Sequence, residues 1–287
     1  MLLVVIFRPG STAHGGPTGS PGGPGALPSG LADGEVLLAV GDIGNCEGEA
    51  DDAVANLASR LPGTIALLGD IAYEDGSARD YQACFAPAWS PMRDRLHPAP
   101  GNHEYQSRDA APYFEFFGAA AGTPGDGWYS YDVGTWHVVS LNSNCGDVDC
   151  GEGSAQLDWL VADLADHSTE CTLAYWHHPR YSSGRHGSTK AMGPIWQALS
   201  DAGADVVLSG HDHTYERVLA DGMREFVVGT GGKSHYPFKK DPLPQTEVRS
   251  DSSYGLLWLD LHAGSYEWKF LPVEGGGFTD SGADDCH

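Results

Sequence analysis

Short apolar runs that stop at a glycine and hand over to a polar residue recur along this chain, and they restrict its fold more than any other feature. Glu35–Gly41 is one such run, ending at Asp42, and Thr64–Gly69 is another, ending at Asp70. Continuous apolar runs of this length suit strands buried on both faces. Between them Ala50, Ala53, Val54, Leu57, Ala58 and Leu61 fall on one helical face. Strand, helix, strand in that order predicts a parallel crossover unit. The pattern returns further on. Leu157, Leu160, Val161 and Leu164 mark a helix before the run Cys171–Trp176, which ends at His177. Ile195, Ala198, Leu199 and Ala202 mark another before Asp205–Ser209, which ends at Gly210-His211.

Other segments alternate between apolar and polar residues. Trp128–Asp132 and Trp136–Asn142 flank Val133-Gly134-Thr135, while Tyr254–Leu261 and Tyr266–Leu271 flank Ala263-Gly264-Ser265; both read as hairpins. Parallel units together with hairpins predict an α/β fold with mixed sheets. Gly232–Ser253 is long, polar and holds three prolines, so it reads as a surface loop near or over a site. The aromatic run Tyr113–Phe117 is assigned to the core.

Charge narrows the partners. Acidic residues number 39 against 16 basic ones, a net charge of −23, which repels nucleic-acid backbones; no nucleic acid is expected as a stable partner. No apolar stretch reaches the roughly 18 residues of a membrane-spanning helix, and no membrane partner is expected. Residues 1–32 are expected to lie outside the folded domain, which is placed at 33–287. Leu2–Phe7 is a signal-like apolar stub, and 13 of the 22 residues from Pro9 to Gly30 are Gly or Pro, the composition of a linker. Six cysteines, none in a Cys-x-x-Cys pair, favour disulfides and an oxidising compartment; Cys145 and Cys150 suit a small closed loop, and the other pairings stay open.

In open α/β sheets ligands bind beyond the carboxyl ends of the strands. Five such ends here carry Asp42, Asp70, Asn102-His103, His177 and His211-Asp212-His213, and Gly41, Gly69, Gly101 and Gly210 each immediately precede one of these groups. One Gly-Asp alone is usually a turn or a helix cap, and one buried histidine is usually a hydrogen-bonded core residue. Five in register, all hard or borderline donors, point to a metal centre.

The series Gly41-Asp42-Ile43-Gly44, Gly69-Asp70-Ile71-Ala72-Tyr73, Gly101-Asn102-His103-Glu104, Trp176-His177-His178-Pro179 and Gly210-His211-Asp212-His213 resembles the metallophosphoesterase (calcineurin-like) superfamily. More narrowly it resembles the purple acid phosphatases, in a short single-domain bacterial form. Most of the superfamily carries Asp-x-His at the first motif. Here Gly44 stands in the histidine's place, and Tyr73, three residues after Asp70, matches the position where purple acid phosphatases supply a phenolate.

That resemblance implies a four-layer α/β/β/α sandwich of two mixed β-sheets flanked by helices. It also implies two metal ions. Fe(III) would be held by Asp42, Asp70, Tyr73 and His213; Zn, Fe(II) or Mn(II) would be held by Asp70, Asn102, His177 and His211, with Asp70 bridging. His103 and His186, the latter nine residues after His177, match family positions beside the substrate phosphate, where an imidazolium steadies developing charge or protonates the leaving group. His178 is expected to support the ligands from outside, and Glu104 to orient His103. Arg180 and Arg185 are weighed as attractors of anionic substrates against plain surface residues.

The implied activity is hydrolysis of small phosphoric monoesters by in-line attack of a water activated between the ions, in a secreted or extracytoplasmic setting. Two alternatives stand beside it. One is a phosphodiesterase on nucleotides or glycerophosphodiesters with the same ligands. The other is a non-catalytic, metal-dependent phosphate-binding protein, against which the presence of both His103 and His186 argues. No oligomeric state follows from the sequence.

Overall fold

The computed structural model describes residues 34–167, 169–239 and 241–287. The linker expected at residues 1–32 lies outside the described residues. Among those described are strands β1 (Glu35–Val40), β2 (Thr64–Leu68), β3 (Leu96–Ala99), β4 (Tyr129–Val133), β5 (Trp136–Ser140), β6 (Cys171–Tyr175), β7 (Val206–Ser209), β8 (Tyr215–Ala220), β9 (Met223–Val228), β10 (Thr246–Ser250), β11 (Gly255–His262), β12 (Ser265–Pro272) and β13 (Ser281–Asp285). They form a six-stranded sheet in the order β13-β12-β11-β1-β2-β3 and a seven-stranded sheet in the order β10-β8-β9-β7-β6-β5-β4. Both sheets are mixed. β1, β2 and β3 run parallel, as do β5, β6, β7 and β9, and antiparallel hairpins complete each sheet.

The apolar runs are continuous because each strand is covered twice. Leu37 and Ala39 of β1, with Ala66 and Leu68 of β2, join the apolar layer between the sheets. Leu38 and Val40, with Ile65 and Leu67, point the other way into a layer covered by Val54, Leu57 and Ala58 of the helix Ala50–Ser59. The second sheet repeats the device. Leu173 and Tyr175 of β6 face inward, while Ala174 packs outward with Leu160 of the helix Ala155–Asp166 and with Ile195 and Leu199 of the helix Gly193–Asp201. Three apolar layers between two sheets and two helical covers make the expected four-layer sandwich. Two-residue periodicity on a doubly covered strand explains why no polar residue interrupts these runs.

Two expectations change in detail. Gly232–Ser253 is not loop throughout, because Thr246–Ser250 pairs with β8 as the sheet's outermost strand. Its side chains are half-buried or exposed, so its polar composition reflects an edge position. β8 and β9 form a hairpin that the apolar pattern did not announce, since Glu216, Arg217, Arg224 and Glu225 interrupt it. The Cys145–Cys150 bridge is present, and two more join Cys46 to Cys84 and Cys171 to Cys286. Tyr113, Phe114 and Phe117 are buried in the core, as expected.

Candidate metal centre

All five strand ends with polar residues open onto one place, where the carboxyl ends of β1, β2 and β3 meet those of β6 and β7. The phenolic oxygen of Tyr73 lies 3.0 Å from Asp42 Oδ1, 3.2 Å from Asp70 Oδ2 and 3.4 Å from His213 Nε2. Beside it, His177 Nε2 lies 3.2 Å from Asn102 Oδ1, 3.2 Å from His211 Nδ1 and 3.2 Å from the same Asp70 Oδ2. Two groups of donors therefore share a single carboxylate oxygen.

The chain fixes which atom of each residue faces inward. Asp42 Oδ2 accepts the amide of His211 at 2.9 Å, and Asp70 Oδ1 accepts the amide of His103 at 2.9 Å, which leaves the opposite oxygen of each for the centre. His177 Nδ1 donates to the Leu68 carbonyl at 2.8 Å and His213 Nδ1 to the Ser234 carbonyl at 2.9 Å, so both present Nε2 inward. Asp42, Asp70 and His211 have φ of 62°, 48° and 68°, a left-handed conformation costly for residues with a side chain. Three such outliers at one spot indicate a functional demand on the backbone. At Gly210 a side chain would come within 2.7 Å of Asp42 Oδ2, and at Gly101 it would overlap the Asp70 carboxylate.

These residues fit cations. Ligands about 2.0–2.1 Å from an ion stand about 3.0 Å apart in an octahedral shell and about 3.3–3.4 Å apart in a tetrahedral one, which is the spread of the donor separations here. Protonation tells the same story. Burial, then the charges of Asp42 and Asp70, hold the Tyr73 hydroxyl well above its usual range, so a phenolate here requires a strong positive charge beside it. Burial opposes ionisation of Asp70, yet the charge of His177 outweighs it and holds the carboxyl well below the ordinary range. Conversely, burial would lower His177, but Asp70 raises it to about 9. His213 is raised as well, where Asp42 overcomes burial. Burial, then the charge of His177, pushes His211 far down.

The surrounding residues are placed as follows. The His103 ring packs edge-on against Tyr73 at 4.4 Å, with Nδ1 against the Glu74 carbonyl and Nε2 3.8 Å from Asp70 Oδ2. His186 is exposed, and its ring lies 4.5 Å from that of His211. Partial burial lowers the pKa of His186, the nearby Asp212 working against that shift. His178 stands 4.8 Å from His177 and 4.5 Å from His211, ring to ring, with Nδ1 at 2.8 Å from the Ser143 hydroxyl. Burial, then the charge of His177, pushes it down to about 3, which keeps it neutral.

Glu104 differs from expectation. Its buried carboxyl does not reach the His103 ring but accepts the amides of Asp70 and Ile71, both at 2.9 Å, and of Gly101 at 2.7 Å. It clips the turn after β2 to the turn after β3, because those turns carry amides that no strand partner satisfies. Arg180 packs over Tyr181, and Arg185 lies over Tyr236, 5.4 Å from its ring centre. Tyr236 went unnoticed in the sequence. Its hydroxyl accepts the His213 amide at 3.1 Å and donates to the His211 carbonyl at 3.0 Å, and only its position in a long polar loop hinted at the site. An apolar groove of about 620 Å³ between the helices Ala155–Asp166 and Gly193–Asp201 is lined by none of these residues.

Two donor sets that share one carboxylate oxygen at the strand ends of a four-layer sandwich are suited to hold a pair of cations. The family model for calcineurin-like phosphoesterases matches residues 36–215, and the chain belongs to that family. Membership implies two metal ions. Within the family the chain is similar to purple acid phosphatases: it is 30% identical over 256 residues to purple acid phosphatase 22 of Arabidopsis thaliana, covering 75% of this chain and 55% of that one. The chain spans about half the length of the curated relatives it matches. Among solved structures, purple acid phosphatase PPD1 from yellow lupin seeds shares the fold with a TM-score of 0.76 at 18% identity, covering 89% of this chain and 54% of that one. GAP50, described as the anchor in the inner membrane complex of Plasmodium, does so with a TM-score of 0.71 at 15% identity, covering 89% and 90%. One fold thus serves proteins of quite different kinds, and activity resides in the site.

Proposed function

We propose that this protein hydrolyses small phosphoric monoesters in the manner of a purple acid phosphatase. Asp42, Asp70, Tyr73 and His213 would hold Fe(III), and Asp70, Asn102, His177 and His211 would hold Zn, Fe(II) or Mn(II). The observation that carries this reading is the Tyr73 oxygen within 3.0–3.4 Å of Asp42, Asp70 and His213. Bound there, two cations would polarise the phosphoryl oxygens and activate a water for in-line attack.

The chain's own residues do the rest. Asp70 would supply negative charge between the two cations. His103, anchored through Nδ1 to the Glu74 carbonyl, presents Nε2 beside the shared carboxylate, suited to a phosphoryl oxygen. His186 stands on the side of His211, suited to hold a proton for the departing alkoxide. An anionic substrate opposes the burial that lowers the pKa of His186, so binding itself favours the protonated ring. His178, neutral and tied to Ser143, backs the His177 and His211 rings. Three disulfides support an extracytoplasmic location.

The test combines colour, metal content and activity on the purified protein. A visible absorption band, iron with a second metal, and faster turnover of p-nitrophenyl phosphate than of bis-p-nitrophenyl phosphate are expected. A colourless, iron-free protein active with manganese would overturn the iron assignment. A preference for the diester would overturn the monoester assignment, and inactivity after metal loading would favour phosphate binding without turnover.

A further inference from the structure

The segment that carries His186 is held in place by carboxyl groups reaching out of the second sheet. Glu225 on β9 accepts the amides of Arg180 and Tyr181, each at 2.8 Å. Glu216 on β8 accepts the amide of Ser183 at 2.7 Å and its hydroxyl at 2.7 Å. Asp212, between β7 and β8, accepts the amides of His186 at 2.8 Å and Gly187 at 3.1 Å, and the Ser182 hydroxyl at 2.6 Å. All three side chains are fully buried.

A carboxyl group offers two acceptor oxygens at a fixed spacing, and a side chain rooted in a sheet cannot follow a wandering loop. Five amides between residues 180 and 187 are therefore pinned to β8, β9 and the short connection that joins β7 to β8. Asp212 is the crucial one of the three. It lies between His211 and His213, so whatever it grips is referenced directly to both halves of the centre. Any side chain at Gly184 would overlap its carboxyl group, which shows how closely the loop wraps it.

We propose that Asp212, supported by Glu216 and Glu225, is a positioning residue that fixes residues 182–187 and thereby holds the His186 ring beside His211, facing the phosphoryl group. This rests on the hydrolytic reading above. Asp212→Asn tests it, because the substituted amide nitrogen meets an N–H donor where an oxygen accepted it. In the metal-loaded protein, hydrogen exchange at His186 and Gly187 is expected to speed up about tenfold or more. With p-nitrophenyl phosphate, kcat should fall about tenfold to a hundredfold with KM within about twofold and two metals per chain retained. Combined with His186→Ala, the same substitution should lower kcat by less than about a further twofold, since both changes remove one function.

Unchanged exchange, or losses that multiply in the double variant, would overturn the proposal. Should Asp212→Asn lose metal or fail to fold, Glu216→Gln gives the same decision further from the ligands. It should raise exchange at Ser183 and lower kcat only where His186 is present, and a loss equal in both backgrounds overturns the role. The exchange measurement does not depend on turnover. An inactive wild type with protected amides would therefore overturn the hydrolytic reading and the catalytic use of the clamp, while fast exchange in the wild type would overturn the clamp itself.

Discussion

The two halves of the centre share one oxygen of Asp70 and otherwise differ in charge. Asp42, Tyr73 and His213 add a carboxylate and a phenol to that oxygen; Asn102, His177 and His211 add a neutral amide and two imidazoles. Burial and two carboxylates keep the Tyr73 hydroxyl protonated until a strongly charged cation takes the proton's place. On the proposed reading, the first half would suit a highly charged ion held tightly. With less negative charge to offer, the second half is suited to a divalent ion that exchanges more readily.

The sharpest break in that comparison comes at the shared atom. Asp70→Asn should release both ions and lower kcat/KM about 10⁴-fold or more, because residues that act as a unit fail together. Retention of either ion, read by elemental analysis, would mean that the halves are independent. Tyr73→Phe attacks the first half alone. It should abolish the visible band, leave the divalent ion in place and lower turnover about 10–100-fold; a band that survives would place the phenolate elsewhere. Asn102→Asp erases the charge difference from the other direction. Loss of the divalent ion to a chelator should slow about tenfold, as ligand charge strengthens a site, and an unchanged rate would show that something other than charge sets the difference.

The smallest effect concerns what backs the second half. Burial, opposed by the amides of Arg180 and Tyr181, holds Glu225 up at about 8 against an ordinary 4.5. The folded chain then keeps a proton that the unfolded chain releases. Stability from this group is complete below about pH 4.5 and is lost progressively until about pH 8. Between pH 5 and 8 the wild type should lose thermal stability relative to Glu225→Gln, by about 2–4 °C for each kcal/mol, whatever the offset between the two proteins. Parallel melting profiles would reject the proton on Glu225.

Some of this molecule is written locally. A strand covered on both faces must be apolar at every position, so β1, β2, β6 and β7 stand out in the sequence, and the residues just past their ends stand out with them. The buried acids do not. Glu216 and Glu225 break the apolar pattern of β8 and β9 because their carboxyls serve a distant loop, so strand signal and functional signal cancel in the sequence. The edge strand Thr246–Ser250 hides for a simpler reason, since an edge strand with no fully buried residue needs few apolar side chains. Glu104 stands out in its motif, but its targets are backbone amides of residues 70 and 71, which a sequence position cannot reveal.

By itself the sequence determined the kinds of donor at each strand end and their order along the chain, and with them the chemistry on offer. Side-chain type and strand pattern are properties of a few neighbouring residues. Tertiary structure alone decided which donors meet. Tyr73 reaches His213 across 140 residues and the amide of His211 reaches Asp42 across 169, and only the stacking of two sheets with their parallel ends aligned brings such pairs within 3.5 Å. The same packing set one oxygen of Asp70 between the two groups of donors, turned Glu104 toward the backbone and set the remaining disulfide partners, because proximity over such separations is a property of how layers pack rather than of any local run of residues.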